Sequence, residues 1–371
     1  MNKIKKLIYY IVSSINTVVF FLFRKNIKSN TVLVISHGMS MSGAPLVLQD
    51  VIALFQEKGY EPLLLFQHDG RLRKFSKCKA KCCFFFEKTI QKLALKNQYP
   101  YIFVNTIACY KWICFLSGKN VKYNLWIHEG EEYFSRYNKY LPKNLNNCHV
   151  FYVSNIPLAC INKYSINCRK TYLNYSFSEF YNTCEYDFDN KERIVLLVGS
   201  ICRNKNQMEL LDAIDLLKNN GLTNVKFIFV GSPIETDYGK EFLKRLKDYN
   251  CVEVIDYLEH DKMMNMYQHI FVSVCSSIDD SMPVTITEAV FSKRLVIVSS
   301  GTGQYKTIKN NSCGFYYNVH DVNKLADCLN AAFNLSSSEY KAYTNKAYSI
   351  FKEQFSKNKF VNTLLNEMES N

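Results

Sequence analysis

Asp280 and Glu288 stand eight positions apart with Pro283 between them, inside FVSVCSSIDDSMPVTITEAVFSKRLVIVSS at 271–300. The apolar runs Phe271–Cys275 and Leu295–Ser299 read as buried strands, joined through an acidic loop and a helix opening near Thr287. In a parallel α/β sheet such a loop lies at the carboxyl ends of strands, beside helix N-termini whose free N–H groups attract phosphate. A carboxylate there accepts a sugar's hydroxyls through charge-assisted hydrogen bonds while backbone amides take phosphates. Two surface acids that only cap a helix start would show the same spacing. The remaining segments decide between these.

Four of them carry compatible chemistry. The turn SHGMSMSGAP after the first strand holds Gly38 and Gly43, where the chain pivots into a helix and backbone amides can approach a ligand. WIHE at 126–129 ends a strand and places His128 and Glu129 at its carboxyl end, where an imidazole can bind hydroxyls or move protons. VGSICRNKNQMELLDAI at 198–214 opens a turn at Gly199 and Ser200, followed by the cations Arg203 and Lys205. Fixed cations stabilise the negative charge that gathers on a departing diphosphate. SSGTGQYKTIKNNSCGFYY at 299–317 offers Thr302, Gly303 and Gln304 as a phosphate-facing turn and Gly314 as a later one. The GTG alone falls short of the dinucleotide fingerprint, which argues against a doubly wound NAD enzyme.

Taken in order, these segments resemble the retaining GT-B glycosyltransferases of family 4 (glycosyl transferases group 1) of the bacterial surface-polysaccharide type. The acidic-x7-Glu signature is Asp280…Glu288. The resemblance covers about residues 31–360 and implies two Rossmann-like α/β domains facing across a cleft. It implies a nucleotide-diphosphate sugar donor, a glycan or lipid-linked acceptor, and transfer with retention, without metal or cofactor. His128, Arg203, Lys205, Asp280 and Glu288 are its catalytic set. Gly43, Gly199, Ser200, Pro283, Val284, Thr302, Gly303 and Gln304 are its donor contacts. The chain departs from the pattern in having Asp280 where Glu is commoner, a glycine-free DSMPV loop, Asn206 in place of a glycine, and no Glu after Gly303. Those departures leave the transferred sugar open. They also make a catalytically degenerate, membrane-tethered scaffold of the same fold a rival. A nucleotide-sugar epimerase or hydrolase is another, separable by whether turnover needs an acceptor.

The elements that must position these residues follow the βαβ rhythm. Strands are expected at 31–38, 61–67, 82–86, 101–106, 124–129 and 149–155, and in a second series at 193–200, 225–232, 252–258, 271–277 and 295–300. Helices are expected at 42–59, 206–221, 238–250, 260–268 and 321–334. The expected division is a membrane-associated helix at 1–27, an acceptor-side domain at 28–175, a linker at 176–191 and a donor domain at 192–350. A terminal helix at 351–371 would pack back on the first domain.

Composition narrows the partners. The net charge is +13 over 371 residues, which favours anionic partners, yet no nucleic-acid motif concentrates it. The fourteen cysteines lie mostly in apolar runs and read as free thiols in a reducing cytosol. Leu7–Phe23 is an uncharged run of seventeen residues, preceded by Lys3, Lys5 and Lys6 and followed by Arg24, Lys25 and Lys28. It is at the short limit for spanning a bilayer. A helix inserted in the membrane, one lying on an anionic membrane surface and a buried leading helix all fit it. The first two place the protein at the cytoplasmic face of the cell membrane.

Overall fold

Apolar β-branched runs separated by amphipathic helices build parallel sheets, because each crossover helix must bury its apolar stripe on the sheet. The computed structural model describes residues 3–24, 27–40, 43–176, 184–189, 192–219, 223–234 and 236–369. The chain divides into two units, Met1–Ser176 with Lys357–Asn371, and Phe177–Ser356. Lys25, and 177–183 and 190–191 of the expected linker, lie outside the described residues.

The first unit opens with helix α1 (Lys3–Phe23) and strand β1 (Thr31–Gly38), followed by α2 (Gly43–Glu57), β2 (Glu61–His68) and β3 (Lys79–Cys82). Then come α3 (Glu87–Lys96), β4 (Tyr101–Asn105), α4 (Tyr110–Ser117), β5 (Tyr123–Ile127) and α5 (Glu131–Tyr137), and last β6 (Asn144–Tyr152), α6 (Asn155–Lys163) and β7 (Asn167–Tyr172). All pairings are parallel, in the order β3-β2-β1-β4-β5-β6-β7. β1 is the hub. Its Val32–Ile35 segment is at most 1% exposed, and such burial stabilises by about 1.5–3 kcal/mol per large aliphatic side chain. The strand order reverses between β1 and β4, which opens a crevice at their carboxyl ends.

The second unit holds β8 (Arg193–Val198), α7 (Gln207–Asn219), β9 (Val225–Val230), α8 (Thr236–Arg245), β10 (Val252–Ile255) and α9 (His260–Tyr267). It continues with β11 (Val272–Cys275), α10 (Val284–Phe291), β12 (Leu295–Ser299), α11 (Tyr305–Asn311), β13 (Phe315–Tyr317), α12 (Val322–Phe333) and α13 (Ser337–Gln354). Its parallel sheet runs β10-β9-β8-β11-β12-β13, and the reversal falls between β8 and β11. α13 begins at a capping box of Ser336 and Glu339. The last helix, α14 (Lys357–Glu369), belongs to the first unit. There Phe360 packs 5.7 Å from the Trp126 ring, Glu367 pairs with Arg169, and Lys357 pairs with Glu57 at 2.6 Å.

Three expectations need correction. The strand expected at 82–86 runs instead over Lys79–Cys82. The Cys83 amide makes a last bond to Phe66, after which the chain turns away, with Phe86 at φ 57°, and lays Phe84 on the Tyr10 ring of α1 at 4.6 Å. The helix expected to open near Thr287 begins at Val284, because Pro283 has its φ fixed near −60° and no N–H to lose, and caps the start. Glu288 therefore lies in the later half of α10 rather than opening it. The polar edge strand β7 and the three-residue β13 went unanticipated; neither shows a long apolar run.

Candidate functional site

In the second unit, three loops meet at the carboxyl ends of β8, β11 and β12. One turn past β8, the Asn204 side chain donates to the Asp279 carbonyl and accepts from the Asp279 amide, both at 2.9 Å. The Ser276 hydroxyl donates to the carbonyls of Lys205 and Asn206 at 2.8 and 3.0 Å. Across the other gap, the Asp280 amide donates to Gly301 at 2.8 Å and the Gly303 amide to Asp280 at 2.9 Å. The Lys205 ammonium, held in this frame, forms an ion pair with the Asp280 carboxylate. Burial alone would lower the lysine's pKa, but the Asp280 charge outweighs it and holds Lys205 well above its ordinary value. Two groups expected to act separately are thus one charge pair.

Glycines make this convergence possible. A side chain at Gly301 would put its Cβ 2.2 Å from the Ile278 carbonyl oxygen and 2.4 Å from that of Ser277. Gly301→Ala should therefore force the β11 and β12 loops apart and lower stability by about 2 kcal/mol, read as a shift in urea midpoint at constant slope. An unchanged midpoint would mean the loops yield freely. Asn206 sits at φ 52°, ψ 45°, a left-handed conformation asparagine tolerates, so its departure from glycine preserves the turn.

The expected phosphate contacts are placed unevenly. Ser200 and Arg203 are exposed on the β8 loop. The amides of Thr302 and Gly303 are already bonded, to the carbonyls of Ser299 and Asp280. The Gln304 side chain is fully buried and donates to the Pro283 carbonyl at 2.8 Å, which fixes the start of α10 at Pro283 and Val284. Its role in the structure is to hold the α10 cap. Gly314 lies away from this turn, packed under Val296 and Ile308.

Glu288 is 6% exposed. One carboxylate oxygen accepts from the Tyr267 hydroxyl at 3.0 Å, and the other lies 3.8 Å from His260 Nδ1. Burial pushes its pKa up to about 7, against the lowering effect of Tyr267. Behind it, Arg294 is fully buried and donates to the carbonyls of Tyr267, Gln268 and Cys184 at 2.7, 2.7 and 3.0 Å. Tyr267 is therefore fixed at both its carbonyl and its hydroxyl.

In the first unit the corresponding cluster forms at the β1/β4 reversal. Asn105 donates through Nδ2 to the Ala44 carbonyl at 3.2 Å, so its Oδ1 faces His128 Nε2 at 2.9 Å. That contact requires the proton on Nε2 and leaves the lone pair on Nδ1. The His128 ring packs against Trp126 at 4.2 Å, and burial, aided by the nearby His37, lowers its pKa to about 3. Burial and the His68 charge likewise lower that of His37, which meets the Thr106 hydroxyl at 3.4 Å. Thr106 holds φ 82°, an uncommon conformation for a β-branched residue, kept in place by the hydrogen bond its N–H donates to the Trp126 carbonyl and by the one its hydroxyl accepts from the Ala108 amide. Glu129 accepts from the amides of His128 and Ile107 at 3.0 and 3.4 Å, and burial raises its pKa to about 7. It buckles two loops together.

Comparison with known proteins gives this geometry a family. A model described as Glycosyl transferases group 1 matches residues 184–367, and one described as Glycosyl-transferase family 4 matches residues 28–154. The chain belongs to the family 4 glycosyltransferases. Among solved structures, the glycosyltransferase resembles Anabaena HepE in complex with UDP and glucose, at 14% identity and TM-score 0.76, covering 92% of this chain and 99% of that one. It also resembles a Rickettsia africae glycosyltransferase, at 17% identity and TM-score 0.72 over 92% and 99% of the chains. Sucrose-phosphate synthase of Thermosynechococcus elongatus is 14% identical, with TM-score 0.75 over 92% and 98%. These likenesses place the glycosyltransferase in the GT-B fold. A capsular polysaccharide biosynthesis glycosyltransferase, CapH of Staphylococcus aureus, is 37% identical over 94 residues, which is 25% of this chain and 26% of that one.

Several residues of these two clusters escaped sequence reasoning. His37 ends its strand in SHG just as His128 ends WIHE, and the same signal could have found it. Asn105, Asn204 and Tyr267 act through partners distant in sequence, and no local pattern marks them. Gly43 has nothing within 4 Å of where a Cβ would lie, so close packing does not explain it.

Proposed function

We propose that this chain transfers a sugar from a nucleotide-diphosphate sugar to a glycan or lipid-linked acceptor, with retention and without metal, at the cytoplasmic face of the cell membrane. The setting is assembly of a cell-surface polysaccharide. The observation that carries the reading is the charged frame at the carboxyl ends of β8, β11 and β12, where Lys205, Asp280 and α10 with Glu288 converge inside the family-matched segment. The HepE complexes with UDP and with UDP-glucose support a donor of this class, and the local likeness to CapH supports the pathway.

The frame suits a departing diphosphate. Charge builds on its oxygens as the bond to the anomeric carbon breaks, and a lysine already fixed needs no reorganisation to meet that charge. Exposed Arg203 adds a second cation on the same turn. Glu288, ionised, would accept the ribose hydroxyls. In the first unit, neutral His128 offers a lone pair to an acceptor hydroxyl. The deciding experiment screens nucleotide-diphosphate sugars for a rise in melting temperature, then follows the anomeric proton of product by NMR. A single stabilising donor and a product of unchanged anomeric configuration are expected. Turnover without an acceptor would move the reading to a hydrolase or epimerase, and inversion would remove the retaining assignment.

A further inference from the structure

α1 is an amphipathic helix turned inside out. Its polar and aromatic side faces the protein: Tyr10, Ser14, Thr17 and Phe21 are buried. The Tyr10 hydroxyl accepts from the Asp69 amide at 2.8 Å, the Ser14 hydroxyl accepts from the Phe85 amide at 3.0 Å, and the Asn97 side chain donates to the Phe21 carbonyl. Its aliphatic side faces out. Ile8, Val12, Ile15, Val19 and Leu22 are each 45–54% exposed, and at 100° per residue they share one arc. Exposed Phe84, stacked on Tyr10, continues the patch onto the body of the first unit. A soluble helix has the opposite arrangement, so this apolar surface calls for an apolar partner.

We propose that this face docks the first unit onto an anionic lipid bilayer, with α1 lying in the membrane plane rather than crossing it. Charge selects lipid over a protein partner. Lys3, Lys5 and Lys6 stand at one end of the arc and Arg24 at the other, while Lys79 and Lys81 reach the Phe20 ring at 4.6 and 4.9 Å. The carboxylates nearby are already matched: Asp69 by Arg73 at 3.2 Å, Glu87 by Lys111 at 3.1 Å, and Glu61 by Lys28. An apolar stripe rimmed by unbalanced cations matches acyl chains beneath anionic headgroups.

Length does not settle the orientation; the hydrogen bonds do. The helix has 21 residues, about 31 Å, enough to cross a bilayer core. Crossing would strip it from the Asp69 and Phe85 amides and carry Ser14 and Thr17 into hydrocarbon. Docked as found, Tyr10 and Ser14 keep their partners on the protein, Thr17 keeps its bond to the Ser13 carbonyl at 2.8 Å, and the aliphatic arc faces lipid. The helix precedes the segment that the family model matches, which begins at residue 28. The inference rests on the reading above for the acceptor's place at the membrane.

Flotation of the full chain with phosphatidylglycerol–phosphatidylcholine vesicles tests it. The wild type should float with these vesicles at least tenfold more than with phosphatidylcholine alone. The triple variant Ile8→Asp, Ile15→Asp and Val19→Asp should lose at least tenfold in bound fraction. It should keep its melting temperature and its donor-induced thermal shift, so a failed donor reading and a failed docking surface give different results. On vesicles, hydrogen exchange at the Asp69 and Phe85 amides should stay as slow as in solution. Absent flotation, flotation indifferent to the triple variant or to anionic lipid, self-association through this face in place of lipid binding, or fast exchange at those two amides would each overturn the proposal.

Discussion

Lys205→Ala should lower kcat/KM for glycosyl transfer at least about a hundredfold, because the lost charge matters most where diphosphate charge is greatest, in the transition state. The ion pair complicates a simple deletion, since Asp280 would be left partly buried without its partner. The single variant should therefore also lose about 1–3 kcal/mol of stability. Adding Asp280→Asn should return most of that stability, since no uncompensated carboxylate remains, while activity stays low. Such divergence in the double variant separates catalysis from folding. Exposed Arg203 provides the comparison: Arg203→Ala should depress kcat/KM similarly and leave the unfolding midpoint unchanged. Near-normal turnover of either single variant would remove that cation from the catalytic set.

Glu288→Gln should make the protein more stable and bind its donor less well. The folded state raises this carboxyl from 4.5 to about 7, so between those values it holds a proton that the unfolded chain has released. Stability from this group is complete below about pH 4.5 and is lost as pH rises through 7; linkage puts the deficit at up to about 3 kcal/mol. Glutamine mimics the protonated form and still accepts from Tyr267. The variant should therefore match wild type at pH 4.5 and exceed it in melting temperature at pH 8. Donor affinity moves the other way, weakening by about 1–3 kcal/mol at pH 8 with the loss of a charge-assisted bond to ribose. Wild-type affinity should tighten from pH 6 to 8, and that of the variant should not. Calorimetric affinities that coincide at pH 8 would remove Glu288 from the donor site.

Much of the fold was legible because apolar runs mark buried parallel strands clearly; the VLVI of β1 and the IVLL of β8 leave little choice. What escaped detection was polar, short or compensated. β7 presents Asn167, Arg169 and Lys170 along a sheet edge, where one face needs no apolar side chains. Phe84, Phe85 and Phe86 read as strand, but α1 draws the segment off the sheet, with Phe84 on the Tyr10 ring and the Phe85 amide donating to the Ser14 hydroxyl. In the site, strand-end histidines and loop carboxylates could be found by position alone. The Lys205–Asp280 pair joins residues 75 apart in sequence, and Arg294 reaches back 110 to Cys184; only the folded sheet relates them. The turned face of α1 was illegible for a further reason: serine and threonine look like flaws in an apolar span until their partners are seen.

The last helix sets an order on the birth of the protein. The first unit takes α14 from the far end of the chain, after the second unit's Phe177–Ser356 has been made. At about 5–20 residues per second, those 180 residues keep a ribosome busy for roughly 10–40 s. Throughout that interval the nascent first sheet lacks the Phe360 cover on Trp126 and the Glu367 partner of Arg169 and His149. The unit made first is therefore completed only after the second has been made, and a stop codon just before Lys357 would injure the first unit, not the second.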